Sequence, residues 1–273
     1  MNALYVRLGC ALVLGVAANS AQANEAGRIH AFESGAVHLG AKSDRGRLEI
    51  EVGELRLHAQ VSPNETLLGG LPPSARDALA LAGQLFLEGR LDGMEGSWLR
   101  LSRVDGQWGG AWFDGKELFL IDASAKVAAQ LAESAPGKAQ LPEYVVYQFR
   151  DIELPGPIDQ VPASPWSHAA PREPARMSYR RFADHLGGVA KGVVASKQLD
   201  MTVVTDTQYG SRYGGSRDAV TAAQVNTVDG IYASQLGVRI RVAHLQNLTN
   251  NGGMTATAAG ALLDQFSTYL SDS

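Results

Sequence analysis

The stretch from Leu199 to Leu270 constrains the fold most, because its hydrophobic pattern switches between strand and helix periods in a fixed order. Leu199, Met201, Val203 and Val204 make a short apolar run beside Asp200 and Asp206, which predicts a strand buried on both faces. A glycine-rich turn, Tyr209 to Gly215, follows. Ser216 stands as N-cap of a helix with Asp218 in its first turn. Val220, Ala223, Gln224, Thr227, Val228, Ile231, Tyr232, Gln235 and Leu236 recur at helical spacing. Gly237 suits the left-handed position just past the helix end.

Val238, Ile240, Val242 and Leu245 then alternate with Arg239, Arg241 and His244, the period of a half-buried strand. A polar loop from Asn247 to Gly253 follows, and Thr257 can cap a second helix carrying Leu262, Leu263, Phe266, Tyr269 and Leu270. Strand, helix, strand, helix at these lengths predicts parallel strands joined by a right-handed crossover.

The runs Leu199-Asp-Met-Thr-Val-Val-Thr-Asp206, Val225-Asn-Thr-Val-Asp-Gly-Ile-Tyr232 and Gln235-Leu-Gly-Val-Arg-Ile240 resemble, in order, the opening of the catalytic domain of reprolysin-type (adamalysin or ADAM-like) metzincin zinc metallopeptidases. The segment Thr255 to Phe266 resembles the second helix of that domain. The resemblance implies an incomplete βαβα portion of a metzincin fold and descent from zinc-dependent endopeptidases. It also puts Asp200 where the family often has a calcium-binding Glu, which makes Asp200 a calcium-ligand candidate.

The family's chemistry needs His-Glu-x-x-His-x-x-Gly-x-x-His. Two imidazoles one helical turn apart and a third beyond a glycine turn hold zinc, while the Glu is general base toward the bound water. The six histidines of this sequence are His30, His38, His58, His168, His185 and His244, with no pair four apart and no His-Glu dipeptide. Zinc is therefore expected of the complete family member and is not supported by the residues of this chain, to which no catalytic residue is assigned. No Gly-x-Ser-x-Gly elbow for a serine hydrolase occurs either.

Residues 1–23 read as a secretory signal peptide: Arg7 is the positive n-region, Leu8 to Ala18 the apolar h-region, and Ala21-Gln-Ala23 a small-x-small cleavage site. The apolar run is too short for about 30 Å of hydrocarbon. Cleavage after Ala23 removes Cys10, the one cysteine, so a secreted product would fold without disulfides. It would also remove one of the 24 basic residues against 28 acidic ones. That mild, well-mixed acidity argues against nucleic acid or an anionic membrane as partner.

From Arg28 to Glu153 the pattern is β-rich. Leu48, Ile50 and Val52 alternate with glutamates, and Leu55, Leu57, Ala59 and Val61 repeat the period, as do Leu85, Leu87 and Leu91. Trp98, Leu99 and Leu101 follow. Asp105-Gly106 breaks the run before Trp108 to Phe113, and Asp114-Gly115 carries a type I′ hairpin signal before Leu118 to Ile121. This predicts an antiparallel meander, either an open sandwich or barrel-like, with Pro73 to Leu81 as a short helix or turn. The segments Gly96-Ser-Trp-Leu-Arg-Leu-Ser102, Asp105-Gly-Gln-Trp-Gly109 and Trp112 to Ile121 are similar to the end of the reprolysin-family propeptide, which covers the active-site cleft and assists folding. No propeptide cysteine is available to occupy a zinc ion.

Six prolines between Pro155 and Pro174 mark an exposed linker, and Arg180-Arg181 beyond it is a candidate processing site, the stretch reading equally as a plain solvated connection. Trp98, Trp108 and Trp112 are either core or an aromatic sugar platform. Asn64-Glu-Thr66 and Asn247-Leu-Thr249 match glycosylation sequons.

The sequence thus predicts an α+β chain in four parts: a signal peptide at 1–23, a β-rich propeptide-like domain at 24–154, a linker at 155–197 and a metzincin-like portion at 198–273. A helix with one strand pair is expected to leave sheet edges and an apolar helix face uncovered. Two functions are weighed beside the plain reading of a stable secreted β domain with unrelated binding. One is the N-terminal portion of a secreted zinc metalloendopeptidase, inactive alone, the complete member acting on protein or peptide substrates. The other is a non-catalytic secreted inhibitor or folding partner, whose β domain binds a catalytic domain encoded elsewhere.

Overall fold

The computed structural model describes residues 28–40, 46–132, 135–153, 195–256 and 259–272. Helices and many antiparallel strands combine into an α+β fold. Eight strands form a closed barrel in sequence order: β2 (Glu33–Leu39), β3 (Gly46–Val52), β4 (Leu55–Pro63), β5 (Leu85–Leu91), β6 (Trp98–Val104), β7 (Gln107–Phe113), β8 (Leu118–Ala123) and β9 (Tyr144–Gln148). Closure runs through a short antiparallel seam in which Glu33, Ser34 and Gly35 pair with Val146, Val145 and Tyr144. Closure removes the free edges that an open meander would present.

The inward positions follow the period of two read from the sequence. Leu48, Ile50, Ala59, Val61, Leu87, Leu99, Leu101, Ile121 and Val146 fill the interior with Trp108, Trp112 and Tyr144. Trp112 stacks on Phe119 across the β7–β8 pair, with ring centroids 5.4 Å apart. Glycine is required where strands approach most closely. A Cβ on Gly89 would sit 2.2 Å from the Gln60 carbonyl oxygen, and one on Gly110 2.2 Å from that of Arg100.

The type I′ signal belongs to a different dipeptide from the one predicted. Asp105 and Gly106 both have positive φ, +52° and +80°, and join β6 to β7 as a two-residue hairpin closed by the Val104–Gln107 pair. Asp114-Gly115 instead opens a longer loop, in which the Asp114 carboxylate accepts the amides of Lys116 and Glu117 at 2.7 and 2.8 Å. The side chain builds the turn there, so the backbone needs only Gly115 at positive φ.

Two helices bridge β4 and β5: α1 (Glu65–Leu68) and α2 (Pro73–Leu81), the latter with proline in its first turn. Helix α3 (Ser124–Val127) follows β8, and β1 (Arg28–Ile29) pairs with β10 (Ile152–Glu153) beside it. Here Tyr147 donates a 2.7 Å hydrogen bond to the part-buried Asp122. Burial pushes the Asp122 carboxyl up to about 6, against the opposing pull of Tyr147 and Lys126.

Beyond residue 194, β11 (Lys197–Thr205) and β12 (Val238–Asn247) pair in parallel, with α4 (Thr207–Tyr213) and α5 (Arg217–Leu236) between them and α6 (Ala259–Asp272) after them. Gly237 takes the left-handed cap at φ 64°. Three expectations are corrected. The 209–215 turn is largely helical, because Asp206 caps α4 by accepting the Tyr209 amide at 2.6 Å. Ser216 precedes α5 without capping it; its hydroxyl donates to Asp105 on the barrel. β11 is covered on one face only, Leu199, Met201 and Val203 being half-buried while Asp200 and Thr202 are exposed.

The largest correction concerns α5, whose face is not left open. Ala219, Ala222 and Val225 of α5 and Ile240 and Val242 of β12 share one core cluster with Leu67, Leu71, Leu79, Phe86 and Val104 of the barrel region. Helix α5 is covered by the sheet on one side and the outer barrel wall on the other. No helix among the described residues is long and apolar enough to cross a membrane. Ala23, Arg180, Arg181, Thr257, His168 and His185 lie outside the described residues.

Candidate functional site: the interface between barrel and helix

The most deeply buried positions of α5 include Gly230 and two residues that hydropathy would assign to solvent, Asn226 and Asp229. They lie one helical turn apart and face β6, where Trp98, Arg100 and Ser102 project outward while Leu99 and Leu101 fill the barrel. Gly230 permits the approach. A Cβ there would come within 2.5 Å of the Trp98 ring and 2.7 Å of the Arg100 side chain.

Asp229 is fully buried and charged groups converge on it. Arg100 donates to Oδ2 at 2.9 Å, Asn64 to the same oxygen at 3.1 Å, Arg239 to Oδ1 at 3.2 Å and the Ile240 amide to Oδ1 at 2.7 Å. Glu88 of β5 holds both arginines from the other side, 3.3 Å from Arg100 and 2.8 Å from Arg239. Burial draws the Arg100 guanidinium below its ordinary range, with Asp229 and Glu88 opposing that shift. An unpaired charge could not persist at such a depth; these are paired and hydrogen-bonded.

Asn226 completes the seam. Its amide nitrogen lies 3.3 Å from the Leu87 carbonyl, 3.2 Å from that of Leu101 and 3.1 Å from the Ser102 hydroxyl, and its oxygen accepts from Asn64 at 2.9 Å. Asn64 is itself the N-cap of α1, accepting the Leu67 amide at 3.2 Å, and takes a further bond from Arg239 at 2.7 Å. Five elements, β5, β6, α1, α5 and β12, meet at one polar cluster. The Asp229 carboxylate is locked by two cations and two amides, so the arrangement fixes orientation and offers no free base.

The residues singled out from sequence have other places. Asp200 is exposed, and both its oxygens face the Arg241 guanidinium, whose hydrogen bonds hold the Asp200 carboxyl below its usual range. The two residues form an ion pair across the parallel strands. The three tryptophans are core and build no platform: Trp98, Trp108 and Trp112 are 7%, 6% and 0% exposed. Asn64 is buried in the network, so its sequon is not displayed. Asn247 donates to Asp218 at 2.7 Å at the carboxyl end of β12. Among the described residues, no three His, Cys, Asp or Glu side chains are already gathered as a metal site.

Sequence reasoning passed over Asn64, Arg100, Asn226, Asp229 and Arg239 as site residues. A signal was present: Ala219, Ala222, Asn226, Asp229 and Gly230 set small and polar residues at helical spacing, the mark of a closely packed helix face. No protein-family model matches the chain, and no curated protein matches it.

Proposed function

We propose that the chain is the propeptide-like and leading catalytic portion of a secreted zinc metalloendopeptidase, in which the barrel is the folding partner of the α/β elements that follow. The observation that carries this reading is the burial of Asp229 against Arg100. A barrel that merely preceded another domain would not need a desolvated charge pair with it. A barrel that positions the first helix of a catalytic unit would. The sequence order supports the same reading, with propeptide-like segments before metzincin-like ones.

The residues present do not fit the zinc that the family uses, since the sequence holds no His-Glu-x-x-His, and no hydrolytic step is assigned to them. This chain binds and orients; peptide hydrolysis belongs to the complete family member. Secretion follows from the signal-like residues 1–23 on the same reading.

Two measurements test the proposal. Reading the coding DNA beyond the Ser273 codon should find an in-frame His-Glu-x-x-His. A stop with no such motif nearby would overturn it in favour of a non-catalytic partner of a separate peptidase. Purified residues 24–273 should show no chelator-sensitive casein hydrolysis. Such hydrolysis would mean that scattered side chains build a catalytic zinc site.

A further inference from the structure

The barrel interior is packed at its middle but keeps apolar surface in solvent at one end. Leu48, Ile50, Leu99, Leu101 and Ile121 are fully buried and fill the centre. The β3–β4, β5–β6 and β7–β8 hairpins all turn at the same end, where β2 starts and β9 stops, while helices α1 and α2 bridge strands at the other. At the hairpin end Leu55 is 66% exposed and Met94 37%. Val52, Leu57 and Phe119 are half-buried there against the interior cluster.

The same end holds two buried polar atoms with no hydrogen-bond partner among the described residues, the indole Nε1 of Trp112 and the amide Oε1 of Gln148. Trp112 is the register partner of Phe119, and Phe119 that of Gln148, so the three stand in one row across β7, β8 and β9. The row faces inward. Trp112 belongs to the interior cluster with Phe119 packed on it, and Val146 lines the interior while Val145 and Tyr147 pack outside, which turns Gln148 in. Trp112 and Gln148 are two strand spacings apart, about 10 Å at the backbone, and the inward curve of the barrel brings their side chains closer over Phe119. A buried donor and a buried acceptor are costly to leave unpaired, and a group that bridges them removes both costs.

We propose that this barrel mouth binds a small apolar alcohol, whose hydroxyl oxygen accepts from Trp112 Nε1 and whose hydroxyl proton is donated to Gln148 Oε1. One hydroxyl satisfies a donor and an acceptor together. The hydrocarbon lies along Phe119, Leu57, Val52 and Leu55, so burying it covers surface that solvent now touches. Barrel mouths suit such sites, with apolar walls and a few polar groups that fix orientation. The rim sets the selectivity. Its three turns carry Glu54, Asp92, Glu95, Asp114 and Glu117 against Lys116, a balance that repels a carboxylate. An ammonium has no lone pair to accept the indole proton. The site is independent of the peptidase reading and stands or falls without it.

The probe is 1-octanol, titrated calorimetrically into the full chain beside octanoate and octylamine. One saturable site is expected for the alcohol, with a dissociation constant of about 0.1 mM or below, in keeping with what so few heavy atoms can supply. The acid and the amine should bind at least about fivefold more weakly, the effect of losing one hydrogen bond. Trp112→Phe keeps the ring and removes the N–H, and Gln148→Leu removes the acceptor; each should weaken octanol about fivefold or more. Leu55→Glu, at an exposed position that folding does not need, should weaken it too. Leu81→Ser, on α2 at the opposite end, should bind as the parent does. If Trp112→Phe lost its circular dichroism signature, Gln148→Leu and Leu55→Glu would decide. The proposal is overturned by no saturable octanol binding, by octanoate or octylamine binding as tightly, or by octanol affinity unchanged in the folded variants.

Discussion

Asp229 on helix α5 and Arg100 on the barrel wall lie 129 residues apart in sequence, 2.9 Å apart in space, and both are buried. The pair ties two regions of different hydrophobic period into one folding unit. Removing one partner of a buried pair leaves the other charge desolvated, which costs about 3–5 kcal/mol. Asp229→Ala leaves Arg100 and Arg239 to share Glu88 and removes the acceptor of Asn64 and of the Ile240 amide, so a loss of stability in that range is expected from urea unfolding. A loss below about 1 kcal/mol, the level of an exposed pair, would contradict the arrangement.

Gly230→Ala separates packing from helix propensity. Alanine favours an exposed helix interior by about 1 kcal/mol over glycine. At this site the added methyl meets the Trp98 ring at 2.5 Å, and overpacking of that kind costs about 1–3 kcal/mol. The variant should be less stable than the parent by thermal unfolding; a stabilised variant would show that α5 does not rest on Trp98.

Asp122 gives the fold a pH dependence of definite sign. Its carboxyl is pushed up to about 6 by burial, while the unfolded chain titrates near about 3.9. The folded state holds the proton more tightly, so this contribution is full below about pH 4 and is lost as pH rises through about 6. Asp122→Asn removes the charge and keeps an oxygen for Tyr147. It should exceed the parent in stability by roughly 2–3 kcal/mol at pH 7, with the gain vanishing by about pH 4. A difference independent of pH in urea unfolding would contradict the burial of this group.

Much of the framework was legible in the sequence because it depends on local rules. The alternation of Leu48 and Ile50 with glutamates gave a strand, and proline at the start of Pro73–Leu81 with Gly237 at a helix end gave helix boundaries. Barrel closure was not legible. It rests on Glu33 to Gly35 meeting Tyr144 to Val146, a long-range pairing with no local signature. The interface was hidden for a different reason. Periodicity assigns Asn226 and Asp229 to water, whereas their partners Arg100, Asn64 and Ser102 come from distant strands and turns that make burial affordable. Asp206 likewise reads as the end of a strand, while its carboxylate starts helix α4.

The most direct test of the central claim, that the barrel and the α/β elements form one docked unit, is cleavage between them. A specific protease site placed within residues 155–193 of the full chain would be cut, and the products followed by size-exclusion chromatography. The two pieces should co-elute as one complex in the parent and separate in Asp229→Ala. Separation of the parent pieces after cleavage would contradict the claim and leave the barrel as a neighbour rather than a folding partner.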